Sequence, residues 1–323
     1  MSIVASAERE TDIRSHLDVM TRDESRAFLR PDPMRISIDF ALIWVQAGLG
    51  ILVFALMPNV FGFVAGILLV SSAQHAMGHV VHEGAHYLIT PGRKGLNDFI
   101  ARWLFSAPIL LPFSVYRRRH LLHHRHVATE EDTKELYRRD IRGARLVFEV
   151  VLSLIGIDYV RQVIAALRHD GSQQHGTTDP SLGWIREEFL AIFVTQLILF
   201  GSLTLINPWL YWLFTVSKLL GKVGSLVEHR PLMEMAGTNP DSGYYMDTET
   251  PCLRSVRASF AERFIISKIN FHFHAEHHLW PSVSYQFLPK LHERLFRNPR
   301  AKQLGCTVER NYWEALQKLW SGK

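Results

Sequence analysis

Long uncharged runs and short polar breaks alternate along this chain in a pattern of two hairpins. Phe40 to Met57 is an 18-residue run without a charge, FALIWVQAGLGILVFALM. It approaches the roughly 20 apolar residues that cross a bilayer core. Pro58-Asn59 breaks it, and Val60 to Val81 follows with no acidic or basic residues other than His75 and His79. Phe189 to Ile206 is a third uncharged run, interrupted at Asn207-Pro208, and Trp209 onward re-enters as a fourth helix. Lys218 and Lys222 fall in that fourth helix, where their stems can snorkel toward the near interface. Between the hairpins, Phe99 to Phe113 is apolar but short and contains Arg102, Pro108 and Pro112. That composition predicts a segment lying in the interface or dipping in and out. Arg145 to Leu167, broken by Glu149, Asp158 and Arg161, predicts an amphipathic surface helix, with a polar loop over 168–183. From about Glu228 the chain reads as a soluble cap.

The distribution of charge orients these elements. No Lys or Arg occurs from Ile36 to Gly92, and none from Glu187 to Ser217. Both hairpin turns therefore lack basic residues, and the positive-inside rule places the termini and the cap in the cytoplasm. Trp209, Tyr211 and Trp212 at the second turn suit a membrane-interface belt. The expected fold class is all-α: a polytopic membrane protein of about four transmembrane helices in two hairpins, with interfacial helices, under a cytosolic helical cap. Its parts are a cytosolic N-terminal segment (1–38), a membrane domain (39–295) and a cytosolic C-terminal tail (296–323). The net charge of +5 is modest for 323 residues, and the expected partner is a membrane, with no nucleic acid. Two cysteines, Cys252 and Cys306, offer neither a disulfide framework nor a cysteine-rich metal site. The start, MSIVASAERETDIRSH, does not read as a signal peptide.

The candidate chemistry lies in histidine. Asn270 to Trp280, NFHFHAEHHLW, holds His272, His274, His277 and His278. His82-Glu-Gly-Ala-His86 gives H-x3-H, and His120-Leu-Leu-His123-His124 repeats the H-x2-H-H spacing of His274-Ala-Glu-His277-His278. On a helix, positions three and four apart share a face, so each group can turn neutral ring nitrogens toward one metal-holding point. Three groups contribute two, three and three imidazoles. Four-coordinate zinc cannot use eight, whereas two irons can. Glu83, Glu228 and Glu276 each adjoin a candidate ligand and are placed to orient an imidazole. His79, His126, Asn270 and His272 are further neighbours. His75 and His79 continue the stripe of His82 and His86 as core or cavity residues, while His16, His169, His175 and His292 read as surface residues. Arg117-Arg118-Arg119 reads as a solvated or headgroup-facing patch.

Two rival chemistries share these residues. His82-Glu83-Gly84-Ala85-His86 fits H-E-x-x-H, the zinc protease helix with Glu as general base. That motif leaves the second and third groups without a role. A metal transporter would place ionisable residues at mid-membrane depth, whereas these groups follow the ends of apolar runs.

The order of the three boxes around two hairpins resembles the membrane-bound fatty acid desaturase and hydroxylase family. So do RRRHLLHHRHVATEED and FHFHAEHHLWPSVSYQFLPKLH, and the resemblance covers about residues 40 to 295. It implies two non-haem irons, dioxygen as co-substrate, and an external electron donor, a ferredoxin or cytochrome. It also implies removal of hydrogen from a lipid acyl chain, with desaturation first and hydroxylation, ketolation or decarboxylation as alternatives. The expected ligands are His82, His86, His120, His123, His124, His274, His277 and His278. His229 is a ninth candidate: it follows the fourth apolar run as His82 follows the second, and the family often carries a histidine there. No catalytic residue beyond these ligands is expected.

Overall fold

A computed structural model describes residues 22–127, 132–133, 141–158, 160–161, 164, 182–204, 211–229, 254–297 and 307–321. In chain order the elements are α1 (Arg22–Phe28), α2 (Pro33–Leu56), α3 (Val60–Ala85), α4 (Lys94–Phe99) and α5 (Phe113–His126). Then come α6 (Ala144–Leu154), α7 (Leu182–Thr204), α8 (Tyr211–Glu228), β1 (Arg254–Val256), α9 (Phe260–Ile265) and α10 (His274–Leu279). Last are α11 (Leu288–Arg297), β2 (Thr307–Glu309) and α12 (Tyr312–Ser321). The chain forms two compact units. One takes Met1–Ile36, Arg118–Leu146 and Val223–Lys323; the other takes Ser37–Arg117 and Val147–Lys222. The turn at Asn207-Pro208, residues 168–181 of the expected polar loop, and His16, His169 and His175 lie outside the described residues, as do the side chains of the expected aromatic belt; positions 182 and 183 of that loop instead begin α7.

The second unit is the apolar one. Among the described residues, two helices are long and apolar enough to cross a bilayer, Arg26–Leu56 and Val60–Ala85, and a third if a bent pair counts as one span. At the turn between them the Asn59 side chain accepts hydrogen bonds from Phe61 N and Gly62 N, both at 3.0 Å, capping α3. Gly50 sits against Val70, and a Cβ there would lie 2.7 Å from its methyl. This close approach of α2 and α3 suits small residues in an apolar medium. Gln46 Nε2 donates to Leu69 O across the pair at 3.0 Å. Leu42, Val45, Leu49 and Leu56 on α2, and Val60, Phe61 and Val64 on α3, remain exposed. So do Phe189, Phe193 and Leu197 on α7. Faces of that kind belong in lipid.

The short segment between the hairpins bends instead of crossing straight. Lys94–Ile109 and Phe113–His126 meet at 98°. The break follows a π-helical stretch, Ile100–Ser106, and a tight turn, Ala107–Ile109, and Leu110 takes a left-handed φ of 54°. A carboxylate far along the chain holds the restart. Buried Glu188 of α7 accepts from Phe113 N at 2.6 Å, Ser114 N at 3.2 Å and Ser114 Oγ at 2.7 Å, while Arg102 Nε pairs with it at 2.8 Å. Glu188 therefore caps the positive end of the helix that carries the second box.

Two expectations about charge in this unit are corrected. Lys222 does not snorkel: its Nζ contacts Glu149 Oε2 at 2.6 Å and also Asp158, and all three are largely buried. Glu149 and Asp158 accordingly face inward and do not mark the polar side of a surface helix. The cause is mutual. Each charge would carry a large desolvation cost alone, and breaking such a buried group costs about 3–5 kcal/mol. Arg117 likewise is not a solvated residue, and its contacts belong to the site below.

The first unit, which holds the stretch expected to form a helical cap, is not wholly helical. β1 pairs in parallel with β2, Ser255 opposite Val308. Arg254 is buried and meets Glu309 at 3.3 Å, which makes the short pair tolerable inside the cap. Val227, Val256, Tyr312 and Ala315 form one apolar cluster, so α12 underlies both the end of α8 and β1. Ser259 and Glu262 form a capping box at the start of α9.

Candidate metal centre

The third box is held by a tight turn. Ile269 and Asn270 take φ of 51° and 57°, and Asn270 Nδ2 donates to Tyr285 O at 3.1 Å. Asparagine tolerates this left-handed region better than most residues. His272 O accepts from Val256 N at 2.9 Å, tying the turn to β1. The chain then enters α10, whose six residues are all buried, His274, His277 and His278 among them.

Within the first unit these imidazoles meet those of the second box and His229. The donor atoms of His123, His229 and His278 lie within 4.8 Å of one another, and the same holds for Glu228, His229 and His274. His120, His124 and His277 form a further group on the same criterion. The contacts run through Nε2: His120 to His124 at 3.0 Å, His124 to His277 at 3.1 Å, and His229 to His274 at 3.1 Å. One of these imidazoles is held from behind through its far nitrogen. His123 Nδ1 donates to both Asp132 oxygens at 2.9 and 3.1 Å, with both side chains fully buried, which leaves its Nε2 as the lone-pair atom. Glu228 Oε2 lies 3.6 Å from His274 Nδ1. Burial, with the neighbouring imidazoles, holds His278 well below its usual pKa and therefore neutral, the form that binds metal.

In the second unit the first box ends α3. His82 and His86 rings are 5.1 Å apart, and Glu83 Oε1 is 3.7 Å from His82 Nδ1. Buried Asn97 accepts from Ile89 N at 3.2 Å and donates to Gly84 O at 2.9 Å, folding the chain back past the box. Arg117 donates to Gly84 O and pairs with Asp98, with its guanidinium over the Tyr87 and Phe113 rings. Gly84 is required here. A Cβ would fall 2.6 Å from that of Ala101.

Around these groups the expected neighbours divide. Glu276 is fully buried and reaches Ser255 Oγ and His292 Nδ1, the latter at 2.5 Å. His292 is thus no ordinary surface residue, because a buried carboxylate holds its ring. His272 Nδ1 meets Ser267 Oγ at 3.0 Å and faces away from the clusters. His79 is buried in α3 with its ring 4.4 Å from that of His75, and half-buried His126 closes α5 outside the three groups. Asp132 was not singled out from sequence. Its spacing of nine from His123 has no helical meaning, and the only signal was an acid shortly after the box.

This donor set fits a transition-metal centre. The donors are ring nitrogens, most of them buried, His278 Nε2 has no hydrogen-bond partner among the described residues, and Asp132 fixes the His123 tautomer that carries its lone pair on Nε2. Apolar helices together with histidine groups that could hold a metal suit a membrane protein. Residues 26–309 match the family model described as Fatty acid desaturase, and the chain belongs to that family. Membership makes it an oxidoreductase and leaves the H-E-x-x-H protease without support. No curated protein matches the chain.

Proposed function

We propose that the protein desaturates a lipid acyl chain with dioxygen. Two irons would be held by His82, His86, His120, His123, His124, His229, His274, His277 and His278. The observation that carries this reading is the buried trio His123, His229 and His278, with Asp132 behind His123. In this reading α2, α3, α7 and α8 form four spans in two hairpins, with both termini and the boxes on the cytoplasmic side. When bound, iron supplies the oxidising power to take hydrogen from an unactivated C–H bond.

The remaining work falls to the chain. Asp132 keeps the proton on His123 Nδ1 and so presents Nε2. Glu228 Oε2, 3.6 Å from His274 Nδ1, places negative charge near that ring at a longer distance. The buried boxes exclude water, and apolar helices admit an acyl chain from the bilayer at about 0.8 kcal/mol per methylene. Overall, –CH2–CH2– becomes –CH=CH– while dioxygen becomes two waters. The substrate gives two hydrogens, and two electrons with two protons come from outside. Cys252 and Cys306 are too few to ligate an iron–sulfur cluster, and this reading assigns the electrons to an external ferredoxin or cytochrome.

The test is turnover under labelled dioxygen with iron measured in the same protein. The expected product is an alkene without label. One labelled oxygen in the first product turns the reading to hydroxylation, and one zinc without iron ends it. His229→Ala is expected to lose iron, and Arg118→Ala, exposed on α5, to keep it.

A further inference from the structure

An open cleft of about 560 Å³ in the first unit lies against the back of the third box. Phe273, His292 and Phe296 line it, with Arg257, Arg263 and Arg297 among its other walls. Arg257 and Arg263 are exposed, and among the described residues neither side chain has a carboxylate partner. Among the described residues, Glu293 is the one acid lining the cleft. It sits 3.9 Å from Arg297 with both side chains mostly in solvent, a pair worth little. The cleft thus keeps a strong positive field over an aromatic floor.

That floor leads to the metal-bearing helix. The Phe273 ring lies 4.8 Å from that of His292, tilted by 42°, and Phe273 directly precedes His274 in the chain. His292 Nδ1 holds Glu276, which directly precedes His277. Two short routes, one by ring contact and one by hydrogen bond, therefore connect the cleft wall to two of the three imidazoles of this box. We infer that this cleft is the docking surface for a small acidic electron-carrier protein, delivering the electrons one at a time. The inference rests on the proposed oxygen-dependent reaction, which requires two electrons from outside. Cationic groups around a small aromatic contact suit a brief encounter: long-range attraction sets the on-rate, and little area slows release. A lipid headgroup would meet the same arginines, and the experiment separates the two.

The protein is reconstituted, with its iron, into discs of neutral phosphatidylcholine. Oxidation of two reduced probes, an acidic plant-type ferredoxin and cytochrome b5, is followed by absorbance in stopped flow. For at least one probe the wild-type second-order rate constant is expected to fall steeply with salt. Arg257→Glu/Arg263→Glu is expected to lower it at least tenfold at low ionic strength and to converge with wild type near molar salt. Iron content and reduction by dithionite with methyl viologen should be unchanged. The inference is overturned if neither probe reacts in a salt-dependent way. It is also overturned if the variant slows viologen reduction equally, or if its defect appears only with anionic lipid in the disc. Failure of viologen to reduce the wild-type protein would count against the proposed reaction instead.

Discussion

Asp132 does for His123 what no property of the box itself can do. It fixes which nitrogen carries the proton. Asp132→Asn preserves shape but offers an amide in place of a charge, and is expected to weaken iron retention by 10–100-fold. Iron content after graded chelator dialysis reads this, and an unchanged titration would remove the residue from the site. His272 tests a different property. Burial, helped by Arg263, brings its pKa down to about 4. A lowered value means that the unfolded chain takes up the proton first, so stability is lost as pH falls from 6.5 toward 4. The loss is roughly 2 kcal/mol by pH 5. His272→Gln should flatten the pH dependence of thermal unfolding over that window, and a profile parallel to wild type would contradict the assignment. The clustering of the box histidines was legible from sequence because one residue type recurs at helical spacing, which puts it on one face. Asp132 and His292 were not, because an ordinary acid or histidine acquires its meaning only from the group it faces.

Among the elements, the helix of the second box depends on a cap from elsewhere. Glu188 stands 75 positions beyond Phe113, outside any local capping pattern. Glu188→Ala would leave two backbone donors, Ser114 and Arg102 without it in a buried setting, at about 3–5 kcal/mol. Glu187→Ala removes only a 3.4 Å contact from an exposed side chain and should cost under about 1 kcal/mol. Unfolding in detergent distinguishes them, and equal costs would refute the cap. The apolar runs themselves could be read along the chain, since bilayer length and charge exclusion are properties of composition. Hidden from that reading were the inward turns of Glu149, Asp158 and Lys222. A charge in an amphipathic pattern looks the same whether it faces water or a partner helix.

At the scale of the molecule, the proposed ligands divide unevenly between the two units. His82 and His86 lie in one, and the other candidates in the other. Metal that binds only the folded state stabilises by mass action. Stripping iron with a chelator is therefore expected to lower the unfolding temperature, and restoring ferrous ion to recover it, followed by intrinsic tryptophan fluorescence. Indifference to the chelator would mean that the histidine groups do not hold a metal that matters to the fold. The two-stranded pair in the cap had no signature in the sequence, because three-residue strands are too short to show a period.

That small pair also sets a timetable. β1 precedes the third box and β2 lies beyond it, so the strand that completes the pair is synthesised after the box. At cellular elongation rates of about 5–20 residues per second, roughly 3 to 10 s separate the emergence of β1 from that of β2. Tyr312 and Ala315, which underlie Val227 and Val256, arrive later still. During translation the imidazoles of α10 thus leave the ribosome before the scaffold that encloses them. The nascent chain therefore passes through an interval in which the histidines of the third box are made but not yet shut in.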